Sequence, residues 1–418
     1  MKSLLSFFLI WLITIIFAIV WTFENPDKIE KIKSEFKKDK KIEVSKVNKN
    51  FKNFIANSFT VEVSQVLKIE DKTAFIIHPK NEKNFDISKL KIYMQRGFVV
   101  NKLNPEKLNL PNYFTLQRNG GIKTIISLKD EKIALISGSE KNCFFAALIL
   151  LSNGDELFKS KCLPEIAKNN DFNGLGSSNI HIKDKILLTL GTPEKHVSKN
   201  SLLAQDDNSK FGKILEIDKN DLINKINDNS KNLKLNIFSK GHRVPQGLTI
   251  MNGNIFNVEH GPKGGDELNL VLKDKNYGWP RFSYGTNYLK DNGGNGISYP
   301  VNHESKGYEE PLFAFVPSVG ISSLNNCPSI LKKYYNKPCL MALSLYGNNL
   351  RKGHSIIIFL LDESSTKVNS VEKILIDNMV LRHFVTDKHN VLYEDTKGNI
   401  YVSADKKGIY KVTFRDFR

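Results

Sequence analysis

Long amphipathic helical periods are missing from nearly all of this 418-residue chain. Beyond one N-terminal segment there is no apolar run long enough to cross a bilayer, which excludes a multi-span membrane protein. Cysteine is scarce. The four residues Cys143, Cys162, Cys327 and Cys339 form no CxxC pair, which argues against a zinc or dithiol site. Clustered arginines and aromatics of a nucleic-acid-binding module are also lacking. Lys+Arg is 61 against 44 Asp+Glu, a net charge of +17, but the excess is mostly lysine spread along the chain. That spread reads as compositional bias, and no nucleic-acid partner is expected. No Pro/Ser/Gly-rich linker interrupts residues 55–418. With 40% hydrophobic and 25% charged residues, an ordered globular body follows and general disorder is excluded.

The one long apolar run is Ser3 to Phe23, 21 residues without a charge. As a helix it would span roughly 30 Å, the thickness of a bilayer core. It outruns a usual signal-peptide core and no A-x-A site follows it. Residues 1–23 are therefore expected to be an uncleaved anchor with a single membrane span, a cleaved signal segment being the alternative. Residues 24–46 read as a charged stalk, with eight Lys against six acidic residues. The positive-inside rule would hold that flank in the cytoplasm. The cysteines point the other way. Cys143 and Cys162 bracket a hairpin pattern, and Cys327 and Cys339 bracket PSILKKYYNKP. Two local bridges would suit an oxidising compartment; four buried free thiols are the alternative.

From about residue 55 the chain alternates short apolar runs with turn signals. Examples are TAFIIHP, KIALISG, SIIIFLLDE and GIYKVTF. These are strand-and-hairpin signatures, and so many of them in one domain suggest an all-β propeller over 47–418. Gly253-Asn254-Ile255-Phe256 and Gly398-Asn399-Ile400-Tyr401 give a weak internal repeat. Residues 241–300 are different: rich in glycine, proline and aromatics, and carrying Arg243, Glu259, His260, Asp266, Glu267 and Trp279. Loops that hold so much chemistry form sites; a long structural connection is the plainer reading.

Four motifs carry a resemblance. They are Gly241-His242-Arg243-Val244-Pro245-Gln246-Gly247, Glu259-His260-Gly261-Pro262 continuing to Asn269, Asn276-Tyr277-Gly278-Trp279-Pro280, and Ala204-Gln205-Asp206 with Gly212-Lys213-Ile214. In order and spacing the chain resembles the quinoprotein glucose/sorbosone (aldose sugar) dehydrogenases, from about residue 170 onward. The resemblance implies a six-bladed β-propeller outside the cytoplasm, binding pyrroloquinoline quinone (PQQ) and calcium and oxidising an aldose hydroxyl. It assigns Arg243, Gln246 and Arg382 to the cofactor. The carbonyls of Gly261 and Pro262 would hold one calcium, and Glu267 with the Tyr277 backbone a second. Arginine offers the fork of donors a carboxylate accepts, and calcium takes six to eight oxygens.

The chain departs from the family where the chemistry is done. The position of the family's proton-accepting histidine is Gly174, which carries no base. His181, seven residues on, is expected to be an ordinary strand residue. Val244, Tyr346 and Val380 replace polar residues that the family turns toward the cofactor and sugar. Two functions are therefore expected to compete: a PQQ sugar dehydrogenase, and an inactive propeller of that family that binds a ligand or partner.

Overall fold

The computed structural model describes residues 43–46, 51–56 and 59–416, apart from 80–81, 83, 142, 165–170, 177, 193–198, 287–297, 346–353 and 377. The expected anchor at 1–23, most of the stalk at 24–46, and Tyr346 lie outside the described residues. Among the described residues no helix is long and apolar enough to cross a membrane.

Six antiparallel sheets form the six blades expected from the resemblance. Their inner strands are Thr73–Ile77, Ile122–Leu128, Asn179–Ile182, Val244–Met251, Ile321–Asn326 and Leu381–Phe384, for blades 1 to 6. Each inner strand packs against the next, and blade 6 against blade 1, so the six enclose a channel. Blade 6 is closed by the chain's other end: Phe59–Ile69 pairs antiparallel with Gly408–Asp416. Val44–Lys46 and Phe51–Ala56 add to the same strand, so the boundary expected at 47 falls inside this sheet.

The local chemistry explains the hairpins. Met251 and Asn254 flank Asn252 and Gly253, both at positive φ (52° and 81°), the two-residue turn whose twist matches the strands. Middle strands are apolar on both faces because each blade is sandwiched between two others. CFFAALIL of blade 2 is nearly all buried. Met341, Ile358, Val402 and Phe414 pack together in the core shared by blades 5 and 6. Both expected bridges are present. Cys143 and Cys162 join with Cα atoms 5.2 Å apart, and Cys327 and Cys339 with Cα atoms 5.5 Å apart.

The connection between the first two strands of blade 6 folds into the channel. Thr386 exchanges backbone hydrogen bonds with blade 1: its N–H donates to the Ile76 carbonyl and its carbonyl accepts from His78 N–H. The Asn390 amide donates to the Asn179 carbonyl of blade 3 at 3.0 Å. Asn325 of blade 5 donates to the Asn390 carbonyl at 2.9 Å and accepts from Leu392 N–H at 3.1 Å. One loop thus touches three blades that meet only across the channel, and plugs it. His181 lies against this plug, its ring 4.6 Å from that of His389.

Candidate functional site

Equivalent strands of a propeller run in the same sense, so the starts of the six inner strands share one mouth of the channel. Four carry a cation. Lys72 immediately precedes Thr73–Ile77, Lys123 is second in Ile122–Leu128, Arg243 immediately precedes Val244–Met251, and Arg382 is second in Leu381–Phe384. Arg382 is held by Asp405, with Nε donating to Oδ1 at 2.5 Å and Nη2 to Oδ2. The partly buried Lys123 donates from Nζ to the Asn119 carbonyl at 2.8 Å. Burial, with Arg382 and then Lys72 adding to it, pushes the Lys123 ammonium down to about 7.

Arg243 is buried. Its Nη1 donates to the carbonyls of His260 at 3.1 Å and Gly261 at 2.5 Å, and its guanidinium lies 5.2 Å from the Trp279 ring centroid. Those carbonyls converge on a cation because the chain turns sharply: a Cβ on Gly261 would meet the Gly265 carbonyl oxygen at 2.0 Å. Burial pushes His260 below its ordinary value, and its Nε2 has no hydrogen-bond partner among the described residues.

Beneath this mouth the four motifs bond to one another. His242 shares hydrogen bonds with Glu259 at 2.9 Å and Ser239 at 2.8 Å, and stacks on Tyr277 with ring centroids 4.6 Å apart. Gln205 donates to the Trp279 carbonyl at 2.6 Å and accepts from Asn276 at 2.8 Å. Trp279 Nε1 donates to Thr192 at 3.0 Å. Lys213 donates to the carbonyls of Leu203, Ala204 and Phe211 at 2.8–3.0 Å. Asp266 accepts from Val319 and Ile321 N–H at 3.1 and 3.0 Å, fixing the start of blade 5. Much of the motif pattern is therefore scaffold, and only part of it faces the mouth.

The sequence-derived residues fall in different places. Gln246 sits in a bulge: pairing passes from Pro245↔Glu259 to Gly247↔Val258 and leaves it outside the ladder, partly buried. Glu267 is buried opposite Glu259 in the ladder. Burial first, then the charges of Glu259, Asp266 and Glu310, hold its carboxyl well above the usual range. Among the described residues no three His, Cys, Asp or Glu side chains converge to hold a metal ion. Tyr277 is pinned through its hydroxyl, which donates to Leu270 O at 2.5 Å and accepts from Leu272 N–H at 2.9 Å. Gly174 lies in the turn Asp171–Leu175. There the backbone is crowded: a Cβ on Gly191 would meet the Gly174 oxygen at 2.2 Å and the Arg243 oxygen at 2.6 Å. The turn Gln117–Asn119, which holds Lys123, packs against the same turn.

The glucose/sorbosone dehydrogenase family model matches residues 147–407. The chain belongs to that family. It is 35% identical over 97 residues to quinoprotein glucose dehydrogenase B of Acinetobacter calcoaceticus, covering 23% of this chain and 20% of that protein. To aldose sugar dehydrogenase YliI of Escherichia coli it is 38% identical over 95 residues, 21% of this chain and 23% of that one. The aligned part thus spans about a fifth of these relatives. Among solved structures, the apo aldose sugar dehydrogenase of Escherichia coli matches with a TM-score of 0.60 at 19% identity, over 89% of this chain and 99% of the other. The PQQ-bound aldose sugar dehydrogenase of Streptomyces coelicolor matches at 0.53 and 14%, over 90% and 99%. At these identities the likeness shows the fold alone.

Two parts of this site lie outside the four motifs. Lys123 was visible only as a lysine inside the apolar run IKTIISL, and the plug at 386–392 only as polar residues between two strands.

Proposed function

We propose that this propeller binds PQQ and a sugar at the cationic mouth and acts as a quinoprotein dehydrogenase on an aldose hydroxyl. The observation that supports it is the set of cations at the starts of four inner strands, Arg243 among them, on the mouth that also carries the Gly261 turn. PQQ has three carboxylates, and Arg243, Lys123 and Lys72, with Arg382 held beside them by Asp405, supply positive charge for them. Gln246 adds an amide outside the strand ladder. When bound, PQQ supplies a two-electron acceptor. The strand-start cations and Gln246 would hold it, and the plug would close the channel behind it.

Calcium belongs to the same proposal. The carbonyls of His260 and Gly261 already converge on a cationic group, and Pro262 follows them, so this turn offers oxygens a calcium would take. Glu267 and the Tyr277 backbone are the proposed second position. The charges acting on Glu267 are all acidic, which a divalent cation would relieve.

Gly174 favours a second reading, in which the propeller binds its ligand without turnover. No side chain stands at that position to take the hydroxyl proton. General-base catalysis typically contributes 10²–10⁴-fold. Assay of PQQ-dependent aldose oxidation on the calcium-loaded protein separates the readings: turnover supports the dehydrogenase, and binding without turnover supports the second.

The proposed location is outside the cytoplasm, behind an anchor at residues 1–23. Two disulfides in a small set of four cysteines support an oxidising compartment.

A further inference from the structure

We propose that this propeller carries a second small-molecule site, a pocket at the seam of blades 2 and 3 that takes the ring of a neutral saccharide. None of its residues belongs to the cationic mouth, so the pocket does not depend on PQQ.

The pocket is a cavity of about 310 Å³ on the face that also holds the mouth. In a four-stranded antiparallel blade, that face carries the end of the outer strand and the link between the second and third strands. One wall is residues 160–164, which follow the outer strand Glu156–Lys159 of blade 2. The other is residues 203–211, in the link from Lys185–Leu190 to Lys213–Asp218 of blade 3. Both walls are fixed. The Cys143–Cys162 bridge ties the first to the third strand of blade 2, and Leu163 N–H donates to the Phe144 carbonyl at 2.8 Å. The Lys213 ammonium clamps the second through the carbonyls of Leu203, Ala204 and Phe211. A pocket organised in advance costs its ligand little ordering.

The lining has two kinds of surface. Phe158, Leu203 and Phe211 are apolar, and the Phe158 ring is only partly buried. Lys161, Asp206 and Asn208 are exposed and polar. Among the described residues the Lys161 ammonium and the Asn208 amide have no hydrogen-bond partner. Asp206 uses one oxygen, which accepts from Asn208 N–H at 2.9 Å. The other two lysines of the lining are engaged: Lys159 with Glu140 at 2.6 Å, and Lys210 with the Leu235 carbonyl at 2.8 Å. One available ammonium and one carboxylate leave the rim near neutrality, which disfavours an anion or a cation as the occupant. A pyranose suits both surfaces. Its C–H face lies on an aromatic ring, while its hydroxyls donate to a carboxylate and accept from an ammonium or an amide. The volume falls at the small end of the roughly 300–1,000 Å³ that small-molecule pockets occupy.

The test is calorimetric titration and saturation-transfer NMR of the full-length chain, without PQQ, in a detergent that has no sugar headgroup. The probes are glucose, maltose and N-acetylglucosamine, with glucuronate and glucosamine as charged counterparts. At least one neutral sugar should bind saturably. Phe158→Ala should weaken that binding about 10-fold or more. Asn208→Ala, an exposed change that disturbs no packing, should weaken it about 3-fold or more. Failure of every neutral sugar to bind overturns the proposal. Binding untouched by both variants places the sugar elsewhere on the propeller; it overturns this pocket and leaves the dehydrogenase reading standing. Tighter binding of glucuronate or glucosamine than of glucose, lost in Phe158→Ala, shows a rim that selects charge and overturns the neutral saccharide as occupant.

Discussion

Asn390 and Asn179 are bonded across the propeller channel. The Asn390 amide donates to the Asn179 carbonyl at 3.0 Å although the residues are 211 positions apart and belong to opposite blades. The same amide reaches Ser178 Oγ at 3.2 Å. Blade 3 begins at this point, at Asn179, four residues after the turn Asp171–Leu175 that carries Gly174.

Removing that amide should be felt as stability. Asn390→Ala deletes two hydrogen bonds and leaves the Asn179 carbonyl without this donor. The expected loss is about 1–2 kcal/mol, read as a lower urea midpoint with unchanged slope. An unchanged midpoint would mean that the plug is not fastened there.

Glu267 predicts a pH dependence. Its carboxyl is held above its ordinary value of 4.5 by burial and by neighbouring acids. The fold keeps a proton that the unfolded chain releases, so the contribution is full below about pH 4.5 and is lost as pH rises through the folded value. Glu267→Gln should therefore be more stable than wild type at pH 8 without calcium, and its melting temperature should fall less steeply with pH. If calcium is bound there, saturating metal stabilises wild type by about 2.7 kcal/mol at 100 Kd and the variant by far less. A melting temperature indifferent to calcium in both proteins would remove Glu267 as a ligand.

The Cys143–Cys162 bridge closes a sequence separation of 19 residues. Replacing both with serine should cost about 3 kcal/mol in the chain-entropy model. Export makes a companion prediction: a C-terminal reporter that works only outside the cytoplasm should be active on the intact chain. Activity of a cytoplasm-only reporter would reverse the proposed topology, as the stalk lysines would favour.

The second reading, binding without turnover, predicts that the chemistry at position 174 is lost and only jointly recoverable. On that reading wild type shows little PQQ-dependent aldose oxidation, and Gly174→His alone restores little, because a base needs an aligned substrate. Combined with Val244→Asn, Tyr346→Lys and Val380→Arg, it should give measurable turnover with strongly non-additive effects. Robust oxidation by wild type would establish another proton acceptor.

The fold was legible because its information is local. Alternating apolar runs and turns such as Asn252-Gly253 specify hairpins, and the cysteines bracket the elements they join. The motif loops were legible as a resemblance, but their roles were not. His242, Gln205 and Lys213 look like site residues in sequence, yet they bond to other motif residues or to backbone carbonyls. The helix Lys219–Asn227 was missed, although Asp218 caps it by accepting from Asn220 and Asp221 N–H. It is short, and the strand pattern around it dominates. Lys123 was missed for a physical reason: its character comes from burial and then from Arg382 and Lys72, which are distant in sequence from it. The plug likewise depends on partners in three blades.

The central claim, that this channel mouth receives the quinone cofactor, is tested most directly by titrating PQQ into the purified calcium-loaded protein and following the quinone's absorption. The account predicts a saturable spectral shift at one equivalent, weakened by Arg243→Ala or Arg382→Ala. A spectrum identical to that of free PQQ at every ratio would contradict it.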